Sequence, residues 1–128
     1  MPGYTGSVIY HRRAHPRANL ELQADFRILL PEKPSEQERR KTRTQTLGGG
    51  GLMFISPVPL SLGTKLEMRL FYMTFILEFV AEVVWLEQLV GNETEEFKCG
   101  LHYVDISDGD LAYIHYILYS NQQFNLLP

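Results

Sequence analysis

The chain has 128 residues, of which 45% are hydrophobic and 12% aromatic, and its formal net charge is −3. This size and balance fit one globular domain with a single core and exclude a wholly disordered chain. A single cysteine, Cys99, excludes a scaffold built on disulfides. The most apolar stretch, residues 70–90, contains three glutamates, and the first ten residues lack the basic and apolar regions of a secretory signal. We therefore expect a cytoplasmic protein with no membrane insertion.

Charge is distributed unevenly along the chain. Residues 11–43 carry nine of the twelve basic residues and five acidic ones, whereas residues 44–128 carry three basic and ten acidic residues. A basic segment on an acidic body predicts a local anion site. The same distribution argues against a DNA or RNA partner, because duplex recognition needs a basic face with many phosphate contacts. We expect Arg39, Arg40 and Lys41 to lie in a solvated loop.

The first third of the chain predicts an arm followed by one strand. Residues 1–10 are small and polar and are expected to form a flexible N-terminal arm. In the basic segment of residues 11–17, Pro16 favours extended backbone at the residue before it. Apolar residues then occupy every second position of residues 20–30, which predicts a strand. Residues 31–41 are polar and predict a loop, or one turn of helix.

The middle of the chain predicts more strands, separated by glycine and proline turns. Short strands are expected on both sides of Gly48–Gly51, over residues 42–47 and 52–55. Four consecutive glycines indicate unusual dihedral angles or the close approach of another group to the backbone. Three longer strands are predicted over residues 64–72, 75–87 and 97–104.

After these strands the apolar period changes to that of a helix. Ser107 and Asp110 have the spacing of a helix capping box. The apolar residues that follow at helical spacing are Leu111, Ile114 and Leu118. We expect the helix to end near Asn121. Five or six strands and a final helix predict an all-β fold, either a small antiparallel barrel or a sandwich, with the helix covering an open end.

Two short motifs, in this order, resemble those of the PilZ domain family. The family's first motif, RRxxxR, is present as Arg12, Arg13 and Arg17, directly before the first predicted strand. Its second motif is an Asp or Asn, any residue, Ser, any two residues and Gly. That motif aligns with residues 46–51, where Thr46, Gly48 and Gly51 stand at the three defined positions. Three further segments also look like this family, namely residues 50–57, 81–85 and 99–103.

The resemblance implies both a fold and a function. It implies one domain over residues 11–122, a small antiparallel six-stranded β-barrel with a C-terminal α-helix, followed by a tail of residues 123–128. It also implies a bacterial receptor for the second messenger cyclic di-GMP, not an enzyme, that needs no cofactor. The arginine arm would close on the ligand and present a surface to an unidentified protein partner that controls motility, pili, exopolysaccharide or virulence. A monomer or homodimer is expected.

Arginine suits the chemistry of this ligand. A planar guanidinium binds phosphate oxygens, pairs with the O6 and N7 atoms of guanine and stacks on a base. By the resemblance, Arg12 and Arg13 would grip a phosphate and a guanine, and Arg17 would hold a second base or anchor the arm. The alternative is that these arginines are only the solvent-exposed end of a tail.

The second motif departs from the family pattern. Thr46 offers one neutral hydroxyl where the family has Asp or Asn, and Gly48 has no hydroxyl. A hydrogen bond to a charged group is worth about 1.5–3 kcal/mol, against about 1 kcal/mol for a neutral one, so losing two such contacts would weaken binding by roughly two decades or more. The glycines offer backbone N–H groups for an anion nest, or form only a β-bulge and a tight bend.

These departures leave two other functions open. One is a PilZ-like adaptor that does not bind cyclic di-GMP and acts by protein–protein contact. The other, ranked last, is a small barrel for single-stranded nucleic acid, which needs aromatic residues among the basic ones. His11 and His15 lack a third ligand, so no metal site is expected. We expect Cys99 and Trp85 in the core and the two remaining histidines at or near the surface.

Overall fold

Six antiparallel strands close into a barrel in the computed structural model, which describes residues 16–30, 38–89 and 96–126. One short additional strand and one helix complete the described part of the chain. In chain order the elements are β1 (Arg17–Asn19), β2 (Gln23–Ile28), β3 (Arg40–Gly48), β4 (Gly51–Ser56), β5 (Lys65–Tyr72), β6 (Phe75–Leu89), β7 (Glu96–Ile106) and α1 (Asp108–Leu126). Arg12 and Arg13 of the first motif, together with His11 and His15, lie outside the described residues.

The strand order confirms a barrel rather than a sandwich. The sheet runs β1-β3-β2-β5-β6-β7-β4, and β4 pairs back with β3. Strands β3, β2, β5, β6, β7 and β4 therefore form a closed ring in which no barrel strand has an open edge. Strand β1 is an addition to the predicted six, and it pairs with β3 beyond the end of β2.

The composition of the core shows why apolar residues at every second position predicted the strands. Alternate residues of a strand point to the same face, and the inward set here is almost entirely apolar. Phe26 and Phe54 meet near the centre, edge to face, with their ring centroids 5.2 Å apart. The helix adds three fully buried side chains to the same core, namely Ile114, Ile117 and Leu118. Cys99 is buried, as predicted.

The strand predicted over residues 20–30 is shorter in the structure, where it spans Gln23–Ile28 and a separate short strand, β1, precedes it. Residues 20–22 separate β1 from β2, although both strands pair with β3. The cause is Thr44, which is fully buried and bonds to both sides of the break. Its hydroxyl donates to the carbonyl of Leu20 over 2.6 Å and accepts the N–H of Leu22 over 2.9 Å. The Thr44 hydroxyl thus pairs with two backbone groups at the break, while backbone bonds from Thr44 to Leu22 and from Leu20 to Gln45 keep the segment attached to β3.

The expected loop at residues 39–41 was wrong, although Arg40 and Lys41 are exposed to solvent as expected. Arg40 and Lys41 belong to β3, where they pair with Phe26 and Asp25 of β2. Arg39, just before the strand, forms ion pairs with Asp25 and with Glu67 of β5. The carboxylates that pair with Arg39 lie far away in sequence, so the local charge pattern alone resembled a loop.

The predicted helix cap is present, but the helix is longer than expected. The Oγ of Ser107 accepts the N–H of Asp110 over 3.1 Å. The Asp110 carboxylate accepts the N–H of Glu78 over 3.4 Å, which ties the helix start to β6. The helix continues past Asn121 to Leu126, because the intervening residues include neither glycine nor proline.

Candidate functional site

A cleft of about 440 Å³ lies where β1, the β3–β4 turn and the middle of β6 and β7 meet. Cavities of this size hold small organic ligands in many proteins. One wall is formed by Pro16, Arg17 and Thr46, the floor by the glycine run, and the opposite wall by Trp85 and His102. Five strands, from separate parts of the chain, therefore contribute to one site.

The described motif residues lie together in this cleft. Arg17, the last arginine of the first motif, lines it, and so do Thr46, Gly48 and Gly51 of the second motif. Nothing in the sequence spacing requires residues 17 and 48 to meet, since thirty residues separate them. Their meeting is a property of the fold.

Strand β1 carries Arg17 to the second motif. Arg17 lies directly opposite Gly48 in the antiparallel ladder between β1 and β3. Just before it, the carbonyl oxygen of Pro16 accepts the N–H of Gly49 over 3.0 Å. The Arg17 side chain is exposed while its neighbour Ala18 is buried, so the guanidinium is on the outer, cleft-bearing face.

The glycine run is a tight turn that admits other backbone close by. Gly48 ends β3, Gly51 begins β4, and only two residues separate them. A Cβ on Gly51 would overlap the carbonyl oxygen of Leu101 and lie 2.9 Å from its carbonyl carbon. The register shift between β3 and β4 falls between Thr44 and Thr46, not at the glycines. The turn is thus tight at the glycines and the bulge lies upstream of them, while an anion nest at these glycines stays a prediction.

Tyr103 of β7 holds this turn from inside the barrel. Its hydroxyl donates to the carbonyl of Gly48 over 2.8 Å, and its backbone N–H donates to the carbonyl of Gly50 over 3.1 Å. Burial raises the pKa of the Tyr103 phenol well above its ordinary value of 10.0, so the hydroxyl remains a donor at all physiological pH values.

Trp85 lies in the cleft wall and not in the core, contrary to the sequence prediction. Its side chain is opposite Gly100 in the β6–β7 register, and the residue is 39% exposed. A Cβ on Gly100 would overlap the indole ring, so the ring lies directly against that glycine. An aromatic face held in this way offers a platform on which a flat ring can stack. Sequence reasoning missed it because the Trp85–Gly100 pair exists only in the sheet register.

The electrostatics of the cleft favour an anion. Arg17 is the charged side chain among its described lining residues, and no carboxylate lines it there. His102 is exposed on the same wall, opposite Gly51 in the β4–β7 ladder.

Within the described ranges, no group of three His, Cys, Asp or Glu residues is placed to hold a metal ion. Among the described residues, no helix has the length and apolar character of a membrane span.

Comparison with known proteins agrees with this architecture. A sequence model of the PilZ domain matches residues 11–120. No curated protein matches the chain. Among solved structures, the chain is similar to the inhibitor of motility MotI/DgrA of Bacillus subtilis, with a TM-score of 0.69 and 20% identity over 91% of this chain and 54% of that one.

Two further structures are similar and have bound ligand. The PilZ domain of YcgR from Escherichia coli with c-di-GMP has a TM-score of 0.64 and 13% identity, over 89% of this chain and 94% of that one. The MrkH–c-di-GMP complex of K. pneumonia has a TM-score of 0.70 and 16% identity, over 89% of this chain and 54% of that one. This chain thus spans about half the length of MotI/DgrA and MrkH.

Proposed function

Because the chain belongs to the PilZ domain family, we propose that it is a cyclic di-GMP receptor whose ligand binds in the cleft between Arg17 and Trp85. The observation that carries this proposal is the convergence of Arg17, Thr46 and two motif glycines on one cleft of suitable size. The solved YcgR domain and MrkH, which share this fold, are complexes with c-di-GMP.

The described residues divide the recognition of such a ligand among them. Arg17 supplies positive charge and a planar donor group for a phosphate or a guanine edge. Trp85, held against Gly100, supplies an apolar face for a base. The glycine turn lets the ligand approach the backbone closely. Arg12 and Arg13 of the arm would close over the ligand and complete the site.

Closure of the arm would convert ligand binding into a signal. A segment that becomes ordered on its ligand creates a surface that was absent before, which a protein partner can recognise. We propose that the ordered arm and the adjacent barrel face form that surface in a monomer or homodimer in the cytoplasm. The regulated process would be motility, pili, exopolysaccharide or virulence.

Calorimetric titration with cyclic di-GMP tests the receptor function. We expect the purified protein to bind, and the Arg12→Ala/Arg13→Ala double variant and Arg17→Ala each to raise the Kd at least roughly tenfold, as expected when charge-assisted hydrogen bonds are lost. Arg43→Ala is the matched control, because Arg43 is exposed and pairs with Glu21 away from the cleft. Equal affinity in all four proteins would place the ligand elsewhere.

A second function is favoured by one observation, the absence of a carboxylate among the described lining residues. With Thr46 in place of the family's Asp or Asn, the barrel would serve as an adaptor that acts by protein contact without the nucleotide. A folded protein that gives no heat at high ligand concentration supports this alternative. Thr46→Asp then tests the geometry, since Thr46 already has a Cβ, whereas Gly48→Ser would bring a new Cβ to 3.0 Å from the Gly51 carbonyl oxygen.

A further inference from the structure

The short strand β1 places a carboxamide beside Thr46, the position at which the second motif lacks the family's Asp or Asn. Asn19 lies directly opposite Thr46 in the β1–β3 ladder, two residues along from the Arg17–Gly48 pair. Directly paired residues of adjacent strands project to the same face, with Cβ atoms about 4.5–5.5 Å apart. Arg17 and Asn19 are both exposed and the residue between them is buried. Asn19 therefore projects to the face that Arg17 and Thr46 share, beside the residues that line the cleft.

From this register, and resting on the cyclic di-GMP site proposed above, we infer that Asn19 supplies the guanine-binding acceptor that Thr46 cannot. An asparagine side chain has a carbonyl oxygen with two acceptor positions and an amide group with two donors. Guanine presents its N1–H and exocyclic amino group as donors along one edge. The Asn19 carbonyl oxygen accepts from this edge, one strand away from where the family motif has its Asp or Asn.

Hydrogen bonds at both ends of β1 hold Asn19 in this position. The N–H of Leu20, the next residue, donates to the carbonyl of Gln45 over 3.1 Å. At the other end, Pro16 accepts from Gly49, and beyond Leu20 the buried Thr44 hydroxyl fixes the break before β2. A carboxamide on a fixed strand loses less conformational freedom on binding than one on a mobile loop.

Titration of the full chain with cyclic di-GMP tests the role of Asn19. We expect Asn19→Ala to raise the Kd roughly three- to tenfold, as for the loss of one neutral hydrogen bond. Gln23→Ala is the matched control, because Gln23 is an exposed carboxamide on β2 that pairs with Arg43, whereas Asn19 pairs with the cleft residue Thr46. It should leave the Kd unchanged, and both variants should unfold at the temperature of the parent protein.

Two more variants separate an acceptor from a structural role. Asn19→Asp keeps the acceptor oxygens and should bind at least as tightly as the parent, which a loss of strand structure would not allow. Thr46→Asp, added to Asn19→Ala, should restore the lost affinity because it returns an acceptor to the same face. An Asn19→Asp variant as weak as Asn19→Ala would overturn the acceptor role.

The outcomes also distinguish this inference from the proposed function. Binding that is lost in Arg17→Ala but unchanged in Asn19→Ala overturns the role of Asn19 and leaves the receptor function standing. A parent protein that does not bind cyclic di-GMP overturns both.

Discussion

Asp25 accepts two hydrogen bonds from the guanidinium of Arg69, at 2.9 Å from Nε and 2.7 Å from Nη2. The pair bridges the neighbouring strands β2 and β5, and Arg39 adds a third bond of 2.8 Å to the same carboxylate. The Asp25 side chain is only 11% exposed, so this cluster is shielded from solvent far better than an ordinary surface ion pair. It joins the start of β3 to the two strands that follow it in the barrel.

This cluster makes stability depend on acid pH. The hydrogen bonds and charge of Arg69 hold the pKa of Asp25 below its ordinary value of 3.8. Its stabilising contribution is therefore complete above pH 3.8 and is lost as the pH falls through the lowered pKa. We test this by urea unfolding between pH 7 and pH 2. Asp25→Asn should lower the free energy of unfolding by about 1–3 kcal/mol at neutral pH, and that free energy should fall less toward pH 2 than it does in the parent. Glu21→Gln, which breaks an exposed pair with Arg43, should cost less than about 1 kcal/mol.

Tyr103→Phe tests the support behind the glycine turn. The change removes the hydroxyl that donates to the Gly48 carbonyl inside the barrel. We expect a loss of about 1 kcal/mol in the free energy of unfolding, and a Kd for cyclic di-GMP raised severalfold because the turn is less firmly held. Tyr119→Phe, on an exposed helix residue, is the control. If Tyr103→Phe matches that control in both measurements, Tyr103 does not position the turn.

Two glycine substitutions should differ sharply in their effect. Gly51→Ala places a methyl group against the backbone of Leu101, which cannot yield as a flexible side chain can. We expect it to cost about 1–3 kcal/mol or more in chemical denaturation. Gly109→Ala meets nothing within 4 Å and lies in the helix, so it should be neutral or stabilise by up to about 1 kcal/mol. Equal effects at both positions would show that close approach does not constrain Gly51.

Cys99 should be inert in the native protein. Its side chain is fully buried, and burial raises the pKa of its thiol from 9.0 to about 11. Because the thiolate is the reactive form, a thiol reagent such as DTNB at pH 8 should label the folded protein far more slowly than the urea-unfolded one. Rapid labelling without denaturant would indicate frequent opening of β7.

Local patterns predicted the barrel well, because an inward apolar residue at every second position is the direct consequence of a strand with one buried face. The period of residues 64–72 thus became β5 with little change. The break at residues 20–22 could not be predicted in this way. It depends on the hydroxyl of Thr44, more than twenty residues further along the chain. The same holds for Arg39, whose carboxylate partners Asp25 and Glu67 come from two other strands.

The structure brings four of the predicted site residues together, and their role in binding stays a prediction. The resemblance to the PilZ family singled out Arg17, Thr46, Gly48 and Gly51, which line one cleft, whereas Arg12 and Arg13 lie outside the described residues. The contributions of Asn19 and Trp85 depend on which residues face them across the sheet, Thr46 for the first and Gly100 for the second. Strand register is a long-range property that the sequence does not state, so the sequence pattern assigned Trp85 to the core and gave Asn19 no role.

The placement of Trp85 gives the protein a built-in optical reporter. It is the chain's one tryptophan, so emission excited at its red edge comes from the cleft wall alone. A purine stacked on the indole would quench that emission, and a ligand that merely sheltered the ring from water would shift it to shorter wavelength. Occupancy and mode of contact can therefore be followed in the unmodified protein, with no label attached near the cleft.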